Sequence, residues 1–239
     1  MVIHLKNEHL TRQADIIPDA VRSVPITIIG AGAIGSFTAL SLAKAGFTNL
    51  VVYDFDTVDV VNLSNQFYRR SDIGKPKVQA LRELIKDFTG EDIEVHITPW
   101  YGSMHGHKLE GIVIAAADCM KVRKDIFETC TSIAINVKYL IDPRMSAETL
   151  SLYALDPRDK DQASRYAKTL YTNEEAVQER CTAKATIYTV NLLSGLVVKT
   201  LKNMQLGQAY PQNAQWNVAL SKCNMNAMAM TMYEQESRN

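Results

Sequence analysis

A glycine-rich turn with the spacing G-x-G-x-x-G, at residues 30–35, constrains this chain more than any other feature. Before it, residues 25–29 are β-branched apart from an edge proline, which is typical of a buried strand in a parallel sheet. After it, apolar residues recur at helical spacing as far as Ala43, and residues 49–54 form a second apolar strand pattern. This order predicts a β-α-β unit, the building block of parallel sheets.

The alternation of strand and helix patterns continues along the chain. Helical patterns start at Lys75 and Lys121, and apolar strand patterns cover residues 93–97, 111–115 and 132–137. This order predicts an α/β fold with a doubly wound, mostly parallel sheet of the Rossmann type. In such a sheet, ligands bind at the carboxyl ends of the strands, where the strand order reverses.

The C-terminal part of the chain shows a looser pattern. Residues 150–154 alternate as in a strand, residues 159–171 suggest a polar helix, and residues 186–204 suggest a long helix in which Gly195 permits close packing. A further strand pattern surrounds Trp216. These segments predict a short antiparallel extension after the parallel sheet.

Length and charge limit the classes of protein that fit. The 239 residues suffice for a polar arm at residues 1–24 and a single nucleotide-binding domain at residues 25–239. Lysine and arginine total 26, as do aspartate and glutamate, which argues against nucleic-acid partners and polybasic membrane anchors. A polar start and the lack of a membrane-length apolar run predict a cytoplasmic protein. Four cysteines without a C-x-x-C pair argue against structural zinc.

Each glycine of the turn has its own predicted role. Gly30 permits the tight turn, Gly32 lets the backbone approach a phosphate, and Gly35 allows the helix to pack closely on the strand. The N–H groups and the positive dipole end at the start of the helix favour phosphate binding. Asp54 ends the second strand pattern, where a carboxylate accepts hydrogen bonds from ribose hydroxyls. The pattern fits either NAD or ATP, and glycines that serve packing alone are the remaining alternative.

A more specific pattern follows the second strand. Residues 54–79 read DFDTVDVVNLSNQFYRRSDIGKPKVQ and resemble the signature of the ThiF/MoeB/HesA family, which includes ubiquitin-activating enzymes. That signature consists of Asp-x-Asp-x-Val, then Asn-Leu-x-Arg-Gln, then Gly-x-x-Lys. Residues 10–13, with an Arg-Gln pair, and residues 116–119, followed by Arg123, are similar to further elements of the family. The resemblance covers about residues 10–200.

The resemblance implies an adenylyltransferase that uses ATP and Mg²⁺ to activate the C-terminal carboxylate of a ubiquitin-like or sulfur-carrier protein with a Gly-Gly end. It also implies a homodimer. By this resemblance, Lys77 holds phosphate, Asp118 positions Mg²⁺ and Arg12 reaches the γ-phosphate, often across the dimer interface. Cys181 corresponds to a reactive cysteine of several members, and a buried inert cysteine is equally compatible with its surroundings.

The candidate site combines the glycine turn with the residues that the resemblance implies. The candidate catalytic residues are Arg12, Lys77, Asp118 and Cys181. The candidate nucleotide-binding residues are Gly30, Gly32, Ala33, Ile34, Gly35, Asp54, Asp56, Asn62, Asn65 and Lys77. Asp118 is the candidate Mg²⁺ ligand.

One position departs from the family signature. Asn65 stands where the family has arginine, and a neutral amide lacks the charged, bidentate grip of a guanidinium on phosphate. Arg69, Arg70 or a partner subunit are alternative sources of the missing charge. The departure leaves a second function open, a nucleotide-binding but inactive scaffold in a heterodimer. A third, an NAD-dependent oxidoreductase, stays open because the glycine turn also suits NAD.

Overall fold

The computed structural model describes residues 8–100, 109–132, 136–171 and 185–229, which form one eight-stranded sheet flanked by helices. The strands are β1 (Ile26–Ile29), β2 (Leu50–Tyr53), β3 (Glu94–His96), β4 (Gly111–Ala115), β5 (Val137–Ser146), β6 (Thr149–Leu155), β7 (Tyr210–Asn217) and β8 (Lys222–Ala229). The α-helices are α1 (Ala33–Lys44), α2 (Lys77–Thr89), α3 (Met120–Ser132), α4 (Lys160–Ala167) and α5 (Ile187–Gln205). Short 3₁₀ helices cover Glu8–Gln13, Asp19–Val21, Val60–Ser64 and Arg70–Asp72.

The strand order is β3-β2-β1-β4-β5-β6-β7-β8. The five strands from β3 to β5 pair in parallel, and β6, β7 and β8 extend the sheet in antiparallel pairs. From β1, the chain first builds outward through β2 and β3 and then returns to add β4 on the other side. This reversal opens a crevice at the carboxyl ends of β1 and β4. The predicted doubly wound, mostly parallel sheet with an antiparallel C-terminal extension is confirmed.

Apolar side chains cover both faces of the sheet because helices lie on both sides of the parallel strands. Neighbouring residues of β1 point to opposite faces, so Ile28 joins the core beneath α1, α2 and α5, whereas Ile29 joins the core beneath α3 and α4. Phe47 and Leu81 are fully buried in the first core, and Ile126 in the second. The loops at the strand ends therefore start from fixed positions.

Small residues bring α1 and α5 into contact. Thr38 Oγ1 donates to Ser194 Oγ at 3.4 Å, and both residues are buried. Gly195 is exposed, and a Cβ atom added there would meet no atom of the described chain within 4 Å. The prediction that Gly195 permits close packing is wrong, because α5 contacts α1 through Ser194 and not through Gly195.

Among the described residues, the strand predicted at residues 132–137 overlaps the observed strand only at its last residue, Val137. Helix α3 continues to Ser132, residues 133–135 lie outside the described ranges, and β5 begins at Val137. Strand β5 pairs with β4 through Val137, through Tyr139 and through the two residues that follow Tyr139. A short apolar run does not by itself distinguish a strand from its surroundings, and pairing with β4 selects the run that follows.

The described residues before β1, from Glu8 onward, lie against the domain. Leu10 and Ile17 are buried, and the side chain of Gln13 donates to the Lys44 carbonyl oxygen at the end of α1 at 2.8 Å. The boundary between arm and domain at residue 24 stays a prediction. None of the helices in the described ranges combines the length and apolar character needed to cross a membrane.

Candidate functional site

The carboxyl ends of three neighbouring strands meet at one edge of the sheet. The pairing register places Ile29, the last residue of β1, level with Tyr53 of β2 and Ala115 of β4. The loops that follow these strands therefore start side by side. They contain the glycine turn, Asp54 and Asp118, three elements that are far apart in the sequence.

The three glycines of the turn meet different surroundings. Gly30 has a φ of +102°, and a Cβ atom there would lie 2.6 Å from the Ala116 carbonyl oxygen. A Cβ atom on Gly35 would lie 1.8 Å from the Gly30 carbonyl oxygen, so α1 packs tightly on the turn. On Gly32, a Cβ atom would meet no described atom within 4 Å. The fold thus requires glycine at positions 30 and 35, whereas Gly32 borders open space that a phosphate can enter.

Ala31, inside the turn, is held by two side chains. Its N–H donates to Asp54 Oδ2 at 2.6 Å, and its carbonyl oxygen accepts a hydrogen bond from the Tyr68 hydroxyl at 2.6 Å. The second carboxylate oxygen of Asp54 accepts the Asp56 N–H at 2.8 Å. Asp54 therefore orders both the turn and its own loop, and its contact with a ribose stays a prediction.

Burial changes the acidity of both groups that hold Ala31. It raises the pKa of the Asp54 carboxyl above its ordinary value, although the N–H groups of Ala31 and Asp56 act in the opposite direction. Burial, followed by the negative charge of Asp54, also raises the pKa of Tyr68 well above its ordinary value. Tyr68 therefore keeps its proton and acts as the donor to the Ala31 carbonyl oxygen.

On the β2 side of the turn, Lys77 and Asp56 form an ion pair. Lys77 Nζ lies 2.8 Å from Asp56 Oδ2, and the Lys77 N–H donates to the Asp56 carbonyl oxygen at 2.9 Å. The Lys77 side chain is 8% exposed, whereas that of Asp56 is 48% exposed. Gly74 has a φ of +87°, and its N–H donates to the Val58 carbonyl oxygen at 2.8 Å. This bond ties the segment before α2 to the loop that follows β2. These contacts fix the ammonium group at the edge of the sheet.

Two asparagines of the signature bind backbone groups. Asn62 Oδ1 accepts the Asp59 N–H at 2.9 Å and caps the short helix Val60–Ser64. Asn65 Nδ2 donates to the Ala185 carbonyl oxygen at 3.3 Å. Both amides stabilise the crossover segment, residues 60–72, which leads from β2 towards α2. Their contacts with a nucleotide stay predictions.

Arg69 does not replace the charge that is missing at Asn65. Its guanidinium donates to Asp72 at 3.0 Å, to Asp87 at 2.8 Å and to Glu83 at 3.4 Å. Three carboxylates therefore already neutralise this group and hold it against α2. The hypothesis that Arg69 supplies the missing charge is not supported by its contacts.

On the β4 side of the turn, Asp118 is exposed. The loop that carries it is fixed by Arg123, whose guanidinium donates to the Ala115 carbonyl oxygen at 2.8 Å and pairs with the fully buried Asp142. Burial, followed by the charge of Arg144, lowers the pKa of Arg123 to about 10, which leaves Arg123 charged at neutral pH. Asp118 is therefore exposed on a loop that the buried Arg123 side chain holds in place.

Arg12 lies away from the turn of its own chain. It is exposed in the 3₁₀ helix Glu8–Gln13, and the side chain of Gln13 bonds to Lys44 at 2.8 Å. Lys44 ends α1, whose 12 residues span roughly 18 Å from the glycine turn. Arg12 therefore does not join Lys77 within one subunit. Cys181 lies outside the described residues.

The open side of Gly32 suits a phosphate and a metal. The first N–H groups of α1, which include those of Ala33 and Ile34, have no acceptor inside the helix, and the positive end of its dipole lies here. Lys77 adds positive charge. Mg²⁺ is commonly held by one or two carboxylates together with substrate phosphates, so Asp118 fits as one such ligand. Within the described ranges, no group of three or more His, Cys, Asp or Glu side chains forms a metal site without a substrate.

A cavity of about 490 Å³ lies beside the turn rather than in it. Its lining comes from α1, α2, the start of α5 and residues 63–69, and it includes the aromatic rings of Phe37, Phe67 and Phe88. Apolar surface of this kind does not compensate the lost hydration of a triphosphate. The candidate phosphate site is therefore the glycine turn.

Tyr68 and Asp142 contribute to the site, although sequence reasoning assigned them no role. Tyr68 lies two residues after the Asn-Leu-x-Arg-Gln element, and this position is its one signal in the sequence. Neither residue belongs to a periodic pattern that indicates where its side chain points.

Comparisons with known proteins identify relatives of the chain. The sequence model of the ThiF family matches residues 12–239. The NEDD8-activating enzyme E1 catalytic subunit of Schizosaccharomyces pombe is 33% identical over 118 residues, which cover 47% of this chain and 26% of that protein. Ubiquitin-like modifier-activating enzyme 5 of Oryza sativa is 28% identical over 131 residues, which cover 48% of this chain and 31% of that protein. The matched region thus spans less than a third of either relative.

Solved structures share the fold. The structure of E. coli MccB with ATP aligns with a TM-score of 0.75 over 95% of this chain and 73% of that chain, at 14% sequence identity. PaaA aligns with a TM-score of 0.71 over 94% of this chain and 74% of that chain, at 16% identity. At these identities, the likeness establishes the architecture.

Proposed function

The chain belongs to the ThiF family, and from this premise we propose that it activates the C-terminal carboxylate of a ubiquitin-like or sulfur-carrier protein by ATP-dependent adenylation. The observation that carries the proposal is the edge of the sheet, where Gly32 borders open space, Lys77 is fixed on one side and Asp118 is exposed on the other. The two activating-enzyme relatives and the MccB structure with ATP support this class of reaction.

In the proposed reaction, a carboxylate oxygen of the carrier protein attacks the α-phosphorus of ATP. The bond from that phosphorus to the bridging oxygen of the β-phosphate breaks, so an acyl adenylate forms and pyrophosphate leaves. Both reactants are anions, and the site must offset the negative charge that gathers around the phosphorus. The chain contributes fixed positive charge and oriented donors.

Backbone and side-chain groups supply this offset. The N–H groups at the start of α1, with those of Ala33 and Ile34, donate to phosphate oxygens. Lys77 donates to phosphate with the N–H bonds that its contact with Asp56 leaves free, because an ammonium group has three donors. Asp118 holds Mg²⁺, which neutralises phosphate charge when it is bound.

The nucleoside lies, in this proposal, against the loop that follows β2. Asp54 and Asp56 offer carboxylate oxygens to the ribose hydroxyls, and Asn62 and Asn65 approach the nucleotide from the crossover segment. The half-buried Asp54 suits this role because its own bonds to backbone N–H groups already hold it in place. A pre-positioned acceptor loses little conformational freedom when the ligand binds.

The proposed enzyme is a homodimer in the cytoplasm, where thiols stay reduced and Cys181 is available as a later acyl or sulfur acceptor. Arg12 is the reason for the dimer. It lies at the end of α1 opposite the glycine turn of its own subunit, so in this proposal it reaches a γ-phosphate only at the site of a second subunit. The carrier protein in this proposal has a Gly-Gly end, as the resemblance to the family implies.

A second candidate function, an inactive scaffold that binds nucleotide within a heterodimer, is favoured by one observation. Asn65 bonds to the Ala185 carbonyl oxygen instead of presenting charge, and Arg69 is already neutralised by acidic residues. In that arrangement, the arginine that completes the phosphate site comes from the partner subunit.

Isotope exchange between ATP and pyrophosphate, measured with a candidate carrier protein, tests the proposed enzyme. We expect exchange that requires the carrier's free C-terminal carboxylate, and an adenylate of matching mass by mass spectrometry. Tight ATP binding without exchange, for every carrier and in mixtures with related chains, contradicts the enzyme and favours the scaffold. Binding of NAD in preference to ATP contradicts both and favours an oxidoreductase.

A further inference from the structure

We propose that Tyr68 is a positioning residue for phosphate: its hydroxyl orients the peptide group between Ala31 and Gly32 so that the Gly32 N–H faces the ligand. The inference rests on the proposed nucleotide site and adds a residue to it. Tyr68 touches neither the phosphate nor the reacting atoms, because it acts through the backbone of the turn.

The contact between Tyr68 and the turn is short and has a defined direction. The hydroxyl lies 2.6 Å from the Ala31 carbonyl oxygen, and a carbonyl oxygen only accepts hydrogen bonds. The phenol therefore donates. Burial and the nearby charges of Asp54, Asp72 and Asp56 keep the pKa of Tyr68 well above its ordinary value, so the donor proton is retained.

Because the peptide group is planar, the contact with the Ala31 carbonyl oxygen also sets the direction of the Gly32 N–H. A peptide group is planar and trans, so the carbonyl of Ala31 and the N–H of Gly32 point in opposite directions. Tyr68 draws the carbonyl towards the crossover segment, and the Gly32 N–H consequently points away from that segment. No acceptor among the described residues bonds the Gly32 N–H, and open space borders this residue.

The Tyr68 hydroxyl restrains the rotation of the peptide group between Ala31 and Gly32. Asp54 holds the Ala31 N–H, which belongs to the preceding peptide group, and leaves the following one free to rotate. Glycine tolerates both signs of φ, so a flip of the peptide group between Ala31 and Gly32 meets little resistance from Gly32 itself. The Tyr68 hydroxyl opposes this flip before a ligand arrives.

Tyr68→Phe tests the role, with Tyr188→Phe as the matched control. The control removes an exposed hydroxyl near the start of α5, which donates to Glu148 and has no hydrogen bond to the turn among the described residues. Dissociation constants for ATP and for inorganic tripolyphosphate are measured by calorimetry, alongside the thermal unfolding of each variant. We expect Tyr68→Phe to weaken both ligands by about tenfold, as loss of one oriented donor predicts, and Tyr188→Phe to leave them unchanged. Equal affinities in Tyr68→Phe and the wild-type protein overturn the proposal.

A nuclear magnetic resonance measurement on the wild-type protein keeps the test independent of how the variant folds. The amide resonance of Gly32 is expected to shift when tripolyphosphate is added, and an unmoved resonance in the ligand-saturated protein overturns the inference. Different results would contradict the proposed function and the role of Tyr68. Wild-type protein that binds neither ATP nor tripolyphosphate removes the proposed function as well, whereas normal binding by Tyr68→Phe removes the role of Tyr68 alone.

Discussion

Lys77 Nζ lies 2.8 Å from Asp56 Oδ2, where the loop after β2 meets the first residue of α2. A lysine side chain is flexible, and this ion pair holds its charge in one place. The pair also leaves donors on the ammonium group for a second anion. The ammonium charge is therefore held beside the loop after β2 without a ligand, as the proposed phosphate site requires.

Lys77→Ala is expected to lower the rate of ATP–pyrophosphate exchange by about a hundredfold, because one positioned donor to the developing charge is lost. Lys124→Ala is the control. Lys124 is exposed on α3 and lies 3.9 Å from Glu128, so its removal leaves the turn unchanged. Exchange by Lys77→Ala within threefold of the wild-type rate shows that phosphate binds elsewhere.

Gly32→Ala and Gly35→Ala are expected to separate ligand binding from folding. A Cβ atom at position 35 would lie 1.8 Å from a backbone oxygen, so Gly35→Ala loses about 3 kcal/mol or more of stability in urea denaturation. A Cβ atom at position 32 would meet no described atom within 4 Å, so Gly32→Ala keeps its stability while its affinity for ATP falls at least about tenfold. Wild-type ATP affinity in Gly32→Ala argues against phosphate at this position.

Asp118→Asn is expected to remove the dependence of ATP binding on Mg²⁺. A neutral amide is a weak ligand for this hard cation, so the variant binds ATP with the same affinity with and without Mg²⁺. Titration calorimetry in the presence and absence of the metal makes the comparison. A full Mg²⁺ effect in the variant assigns the metal to another ligand.

Mixing two inactive variants tests whether Arg12 acts across subunits. Arg12→Ala and Lys77→Ala are each expected to retain about a hundredth or less of the wild-type exchange rate, and co-refolded equal mixtures are expected to recover about a quarter of it. Recovery occurs because a mixed dimer contains one site with both residues intact, as closed two-fold symmetry requires. A mixture as inactive as its components, with a dimer confirmed by light scattering, contradicts the shared site.

Asp72→Asn is expected to destabilise the crossover segment at neutral pH. Burial alone would raise the pKa of Asp72, yet hydrogen bonds from Arg69 and Lys75 lower it below the ordinary value of 3.8. A lowered folded pKa stabilises the protein above pH 3.8, and this contribution disappears as the pH falls through the folded pKa. At pH 7 we expect a loss of about 2 kcal/mol in the free energy of unfolding.

The same urea titrations at lower pH provide the check. The difference between the wild-type protein and Asp72→Asn is expected to shrink as the pH falls below 3.8. Asp15→Asn, at an exposed position before β1, is the control and is expected to match the wild-type protein. A difference that stays constant with pH assigns the effect to packing instead of charge.

The amino-acid sequence predicted the structure correctly where a residue and its near neighbours in the chain define the conformation. Gly30 needs a positive φ, Gly35 needs room against the turn, and both requirements follow from a strand, a turn and a helix in succession. The strand predicted at residues 111–115 coincides with β4 for the same reason, since a short apolar run between Glu110 and Asp118 is typical of a buried strand.

The sequence-based predictions were wrong where a contact with another part of the chain decides the position or the partner of a residue. Among the described residues, the strand predicted at 132–137 overlaps β5 only at Val137, because pairing with β4 continues through residues 139–141. Gly195 faces solvent because α5 contacts α1 through Ser194. Arg69 is unavailable to phosphate because α2 and the end of the crossover segment bring three carboxylates to it.

The amino-acid sequence by itself determined the α/β architecture, the position of the glycine turn and the family, because periodicity and short signatures depend on neighbouring residues. Only the tertiary structure decided which groups orient that turn. Tyr68 and Asp54 meet Ala31 across 37 and 23 residues of chain, and Arg12 is held at the far end of α1. Hydrogen bonds depend on distance and direction in space, and these are defined only when the packed strands bring remote loops to one edge of the sheet.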